Sequence, residues 1–289
     1  MKRKFTTLLL AIVLLAGLAI MLYPTASDYY NSFHQSRAIA NYAEEMAHID
    51  PETYERLWRE ATEYNQKLVG RSNPFFLSEA EREEYNSVLN YSGNGIMGYI
   101  SIAKINCELP LYHSTEESVL QIAIGHIEGS SLPVGGESTH CVVSGHRGLP
   151  SAKLFSNLDL LEPGDTFVVQ VLDETLTYEV DQIRTVMPDE VQDLYIEKGR
   201  DYFTLVTCTP YGINTHRLLV RGHRVPNAAE ALSIRVTADA LRVDSLLVAS
   251  SAAPPLLLIL MLWVFTGGKP AAKKSKNHPK PKTERRDTK

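Results

Sequence analysis

Two long apolar runs bracket the chain, and the pattern between them changes once. Residues 8–22 carry no charge and lie within an apolar stretch from 5 to 23. Residues 246–265 form a second uncharged run of membrane-crossing length, interrupted by Pro254-Pro255, which a membrane helix tolerates as a kink. After the first run, residues 27–48 favour helix. Asp50-Pro51-Glu52 is a helix start: an acid at the N-cap, proline in the first turn, then another acid. Tyr54, Leu57, Trp58, Ala61, Tyr64 and Leu68 follow at spacings of three and four, which predicts one apolar face ending at Gly70. Ser78 and Glu81 are spaced as a capping box for a further helix to about residue 89. From residue 98 the period becomes that of strands, at 98–105, 107–112, 139–144, 166–172, 175–186, 202–207 and 216–225. Residues 119–124 read as a short helix. Seven or eight short strands with little helix between them predict a closed, largely antiparallel barrel.

Charge adds topology. Lys2, Arg3 and Lys4 precede the first run, and nine basic residues against two acids follow residue 268. By the positive-inside rule both termini are cytoplasmic, and residues of roughly 25 to 245 lie outside the cell membrane. That outer part holds 17 basic residues against 32 acids, a net of −15. This balance argues against nucleic acid and favours basic, lysine-bearing partners. The low-complexity Lys/Pro tail suits anionic membrane lipid.

Three cysteines and nine histidines supply the candidate chemistry. Cys208 ends one predicted strand and Arg217 begins the next. If the two pair antiparallel, a thiol stands beside a permanent cation, which favours the thiolate. A packed cysteine beside a solvated arginine is the bland alternative. Cys107 and Cys141 sit among strand residues and read as buried free thiols. Composition does not choose among His113, His126, His140, His146, His216 and His223. Context favours His146, at the junction of a strand with a glycine-flanked loop. Neither Cys-x-x-Cys nor His-x-x-x-His spacing occurs, so neither a metal nor a cofactor is expected.

Ser144-Gly-His146-Arg-Gly-Leu-Pro150, followed by Thr204-Leu-Val-Thr-Cys208-Thr-Pro-Tyr-Gly-Ile-Asn-Thr-His-Arg217-Leu-Leu-Val-Arg-Gly-His-Arg224, resembles the sortases, specifically their pilin-polymerising class C. Ile127-Glu-Gly-Ser-Ser-Leu-Pro-Val-Gly-Gly136 resembles the same group. The resemblance implies a mainly β fold, an eight-stranded barrel with an N-terminal helical extension, a lid loop and two transmembrane helices. It divides the chain into an N-terminal membrane segment (1–24), the helical extension (25–94, lid 71–76), the barrel (95–228), a linker (229–245), a second membrane helix (246–266) and a basic tail (267–289). It implies Cys208 as nucleophile, His146 as general acid and Arg217 as the oxyanion's partner. The implied substrates are sorting signals resembling Leu-Pro-x-Thr-Gly, with a pilin lysine as acceptor, in Gram-positive pilus assembly. The family's lid carries Asp-Pro and then an aromatic residue. Here Asn73, Pro74 and Phe75 stand in its place, which implies Phe75 over Cys208 and an uncharged residue 73 facing Arg217. A wall-anchoring housekeeping sortase and a non-catalytic pilus scaffold are the alternatives. An L,D-transpeptidase would need His and Cys close in sequence, and His146 and Cys208 are far apart.

Overall fold

The computed structural model describes residues 2–227. The expected linker, second membrane helix and basic tail lie outside the described residues.

The chain opens with one helix, α1 (Lys2–Ala47), which runs through Pro24 without a break. The sequence suggested a boundary there between a membrane segment and a separate extension. Both sides are strong helix formers, and a proline in an apolar helix removes only one backbone hydrogen bond. The segment Leu9–Ala47 is long and apolar enough to cross a membrane, with a mean hydropathy of 2.3 in its most apolar window. Towards its other end, Ile39, Tyr42 and Met46 form one buried stripe against the barrel. The Tyr42 hydroxyl donates to Met97 O and accepts from the Leu172 N–H, both at 2.7 Å. It therefore ties α1 to one strand, through Met97, and to the turn that follows another, through Leu172.

Helix α2 (Pro51–Leu68) begins where the capping residues predict, with Asp50 accepting from the Thr53 N–H at 2.9 Å. Helix α3 (Glu79–Ser87) carries the complete Ser78–Glu81 capping box. Asn65 of α2 locks onto the barrel through both Leu132 N–H (2.6 Å) and Leu132 O (3.1 Å).

The barrel strands are β1 (Ile96–Ile102), β2 (Cys107–Tyr112), β3 (Ile124–His126), β4 (Thr139–Ser144), β5 (Thr166–Val171), β6 (Glu174–Val186), β7 (Asp201–Thr209) and β8 (His216–Val225). They close in the order β1-β2-β3-β4-β7-β8-β6-β5. The barrel is mixed: β2–β3 and β4–β7 pair parallel, the other neighbours antiparallel. Two local expectations change. Residues 103–105 form a 3-10 turn, not strand, because Asn106 takes a left-handed conformation (φ 50°) and reverses the chain into β2. The expected helix at 119–124 divides into α4 (Glu117–Leu120) and the short β3, which is too brief for a periodic signal. Inside the barrel, Phe167, Tyr178 and Phe203 pack ring on ring at centroid separations of 5.3–5.7 Å.

Candidate active site

The parallel β4–β7 ladder positions the site. Its register is constant from Thr139↔Asp201 to Ser144↔Val206, with no shift along the ladder. The same register persists past the last ladder pair. Gly145 N–H donates to Val206 O (3.0 Å), and Thr207 Oγ1 donates to Gly145 O (2.7 Å). One step further, Arg147 Nη1 donates to Thr209 Oγ1 at 3.5 Å. Positions 145 and 147 are thus tied to 207 and 209, so His146, between them, lies alongside Cys208. On the other side of β7, Cys208 is the direct antiparallel partner of Arg217. Three residues from separate segments are therefore neighbours across three adjacent strands.

Strand alternation decides which way they face. Phe203, Leu205, Leu218 and Val220 fill the barrel core. Val142, Val206 and Leu219, of opposite parity, belong to a separate buried cluster with Val186 and Leu194. Cys208 and Arg217 share the parity of that second cluster, so both lie on the outer wall. Both are half-buried.

The three thiols differ. Burial pushes the Cys107 thiol up to about 12 and raises Cys141 well above its ordinary range. All three are free. Cys208 alone sits at a strand end on the outer wall.

His146 Nε2 makes no hydrogen bond within the described residues, and the carboxylate beside it is that of Glu117, with Oε2 at 3.6 Å. A hydrogen bond from Gln121 and then the His146 charge hold the Glu117 carboxyl below its usual range. Sequence reasoning did not single out Glu117. It lies well upstream of His146, on the single-turn helix α4, and nothing local marks it. The Arg217 Nη1 donates to Asn214 O (3.3 Å) and His216 O (3.1 Å), which orients the guanidinium from the turn before β8.

The 71–76 loop lies against this wall. Pro74 is buried, and Phe75 packs on the Val142–Val186–Leu194–Val206–Leu219 cluster while stacking on Tyr195 at 6.0 Å. Gly129 makes that seat possible. Its φ is 89°, and a Cβ there would lie 2.1 Å from Pro74 O and 3.0 Å from the Phe75 Cα. Asn73 is exposed, and its backbone carbonyl accepts from the Phe76 N–H at 3.4 Å. Its side chain is not among the partners of Arg217, so these two residues are not brought together by a hydrogen bond. Among the described residues no group of three or more His, Cys, Asp or Glu could hold a metal.

Residues 100–225, which contain all of the catalytic candidates, match the sortase domain family. Sortase C1 of Streptococcus agalactiae is 58% identical, with a TM-score of 0.64 over 66% of this chain and 100% of that one.

The chain belongs to the sortase family.

Sortase C of Streptococcus pneumoniae is 44% identical, with a TM-score of 0.59 over 67% of this chain and 98% of that one. Among curated proteins, sortase D of Bacillus subtilis (strain 168) is 30% identical over 131 residues, 44% of this chain and 63% of that protein. Sortase A of Bacillus anthracis is 29% identical over 136 residues, 47% of this chain and 62% of that protein. The match spans less than two thirds of either curated relative. The structural neighbours of this sortase include class C enzymes, in keeping with the resemblance of its motifs.

Proposed function

We propose that this sortase is a membrane-anchored cysteine transpeptidase of the pilin-polymerising type, acting outside the cell membrane. The observation that supports the reading is the β4–β7 register, continued by the bonds of Gly145 to Val206 and Thr207, which favours a place for His146 alongside Cys208 while Arg217 pairs Cys208 from the other strand. The Cys208 thiolate attacks the Thr–Gly carbonyl carbon of a sorting signal resembling Leu-Pro-x-Thr-Gly. A C–S bond forms and the carbonyl electron pair moves to oxygen. Arg217 offers fixed N–H donors to that oxyanion, an interaction stronger in the transition state than in the substrate. The C–N bond then breaks, and protonated His146 gives its proton to the departing glycine amine. The acyl group remains as a thioester on Cys208. A neutral lysine amine of the next pilin subunit attacks it, His146 takes the amine proton, and Cys208 leaves as thiolate, giving an isopeptide bond. The N-terminal apolar helix supports membrane anchoring, with the charge pattern supporting cytoplasmic termini.

The 71–76 loop favours the pilin-polymerising reading over a wall-anchoring one, since it lies on the wall that carries Cys208. The test is incubation of the full-length protein in detergent with a sorting-signal peptide and either a pilin domain or a peptidoglycan-type amine. The expected result is a thioester mass on Cys208, transfer to lysine, and neither with Cys208→Ala. Cys107→Ala and Cys141→Ala should keep activity. Polymer made by Cys208→Ala would refute the assignment, and transfer only to the wall-type amine would favour the housekeeping reading.

A further inference from the structure

One face of α1 carries a single stripe with two characters. Asp28, Asn31, Gln35, Ile39, Tyr42 and Met46 follow at spacings of three and four, so all six share a side of the helix. The last three are buried apolar anchors. The first three are polar, and each holds a loop of the barrel. Asp28 Oδ1 accepts from the Lys153 N–H at 2.7 Å, and Asp28 Oδ2 lies 3.5 Å from Lys153 Nζ. Asn31 Nδ2 donates to Ser151 O at 2.9 Å. Gln35 Nε2 donates to Ile122 O at 2.6 Å.

Both gripped segments lead to the site. Ser151 and Lys153 belong to the loop that starts at His146. Just beyond Lys153, the fully buried Phe155 donates its N–H to His146 O at 3.1 Å. Ile122 follows α4, which carries Glu117, the carboxylate beside His146. Asn31 and Gln35 line a cavity of about 310 Å³ between α1 and the barrel, with Tyr30, His34, Tyr112 and Ile122. Across this open pocket the hydrogen bonds of Asn31 and Gln35 tie α1 to the two segments.

We propose that Asp28, Asn31 and Gln35 are positioning residues that hold the His146 loop and the Glu117 segment in register with Cys208, so that the helix continuing from the membrane segment sets the proton donor's place. This rests on the reading of His146 as the acid of the transpeptidation. Misplacing a catalytic group by about 1 Å costs on the order of a hundredfold in rate, so a slackened loop lowers turnover more than substrate affinity.

The experiment uses the full-length protein in detergent micelles and the triple variant Asp28→Ala/Asn31→Ala/Gln35→Ala. Amide exchange of segments 148–155 and 117–123 is measured beside kcat and KM for sorting-peptide cleavage. Exchange in both segments is expected to rise at least tenfold and kcat to fall at least tenfold, with KM within about twofold. Asp28→Asn keeps an acceptor for the Lys153 N–H and should restore most of what Asp28→Ala loses. Should the triple variant fail to fold, Asn31→Ala alone carries the reading, with at least a threefold fall in kcat. Unchanged exchange would overturn the grip. Raised exchange with unchanged kcat would overturn the positioning role. A wild-type protein that forms no thioester on Cys208 would refute the transpeptidase reading instead, while the exchange result still judges the grip.

Discussion

Arg217 faces Cys208 as a direct cross-strand partner, with its guanidinium held by two backbone carbonyls. A lysine at this position keeps the charge but has no planar fork to bridge those carbonyls and an oxyanion together. Removing one oxyanion donor from an acyl-transfer site costs roughly 10²–10³ in kcat. Arg217→Lys is therefore expected to fall nearly as far as Arg217→Ala in steady-state cleavage of a sorting peptide. A lysine variant with near-normal turnover would reduce Arg217 to a point charge. The residue scale is also where the sequence was most legible. Cys208 and Arg217 face each other across the short connection 210–215, so a local pattern of strand, turn and strand was enough to predict their pairing. His146 was different. Its place beside Cys208 depends on a parallel pairing between strands distant in the chain, and in the sequence only its glycine-flanked loop and the family motif pointed to it.

At the scale of elements, the 71–76 loop and the β3–β4 connection fit together through one glycine. Gly129→Ala would force its Cβ into Pro74 O and impose a left-handed conformation on alanine. The loop should then lift from the wall without loss of its aromatic residue. The expected outcome is faster labelling of Cys208 by a bulky thiol reagent at fixed pH, in the same direction as Phe75→Ala, which removes the ring over the Val142–Val206–Leu219 cluster. Unchanged labelling in both variants would mean that this loop does not restrict access to Cys208. Asn73→Asp is expected to change the labelling rate little, because residue 73 is exposed and makes no bond to Arg217. A new carboxylate there would be screened by solvent. The loop's aromatic and proline were legible as a motif. Its seat was not, because the contact of Gly129 with Pro74 joins segments far apart in the chain.

Across the whole molecule, buried histidines couple folding to pH, His113 among them, which burial holds below its ordinary range. His126 and His140 are both held down to about 4 by burial. Each has a complete set of partners as a neutral ring. His126 Nε2 can donate to Ser131 O and its Nδ1 accept from Tyr85, while His140 Nδ1 can donate to Tyr195 O and its Nε2 accept from Thr204. The unfolded chain takes up protons near pH 6.5, the native state only near 4. Stability is thus full above about 6.5 and is lost as pH falls towards 4, by up to about 3 kcal/mol per histidine. The unfolding midpoint should drop between pH 7 and 4.5, and His140→Gln should flatten that slope. A slope unaltered in that variant would remove His140 from the account. Asp201, whose carboxyl is raised by burial, works in the opposite direction: what it contributes is lost as pH rises through its raised native value. The signals legible in the sequence were local. The capped helices α2 and α3, most strand positions and the apolar N-terminal helix follow from periodicity, capping and turn chemistry within a few residues of each other. The tertiary structure alone decided the closure order, the two parallel pairings and the short β3. It also decided that His146 stands at Cys208, that Gly129 seats Pro74, and that Asp28, Asn31 and Gln35 reach the loop of His146 and the segment after α4. Each of these depends on contacts between distant segments, whose geometry is set by how the barrel closes and not by any pattern within one stretch of chain.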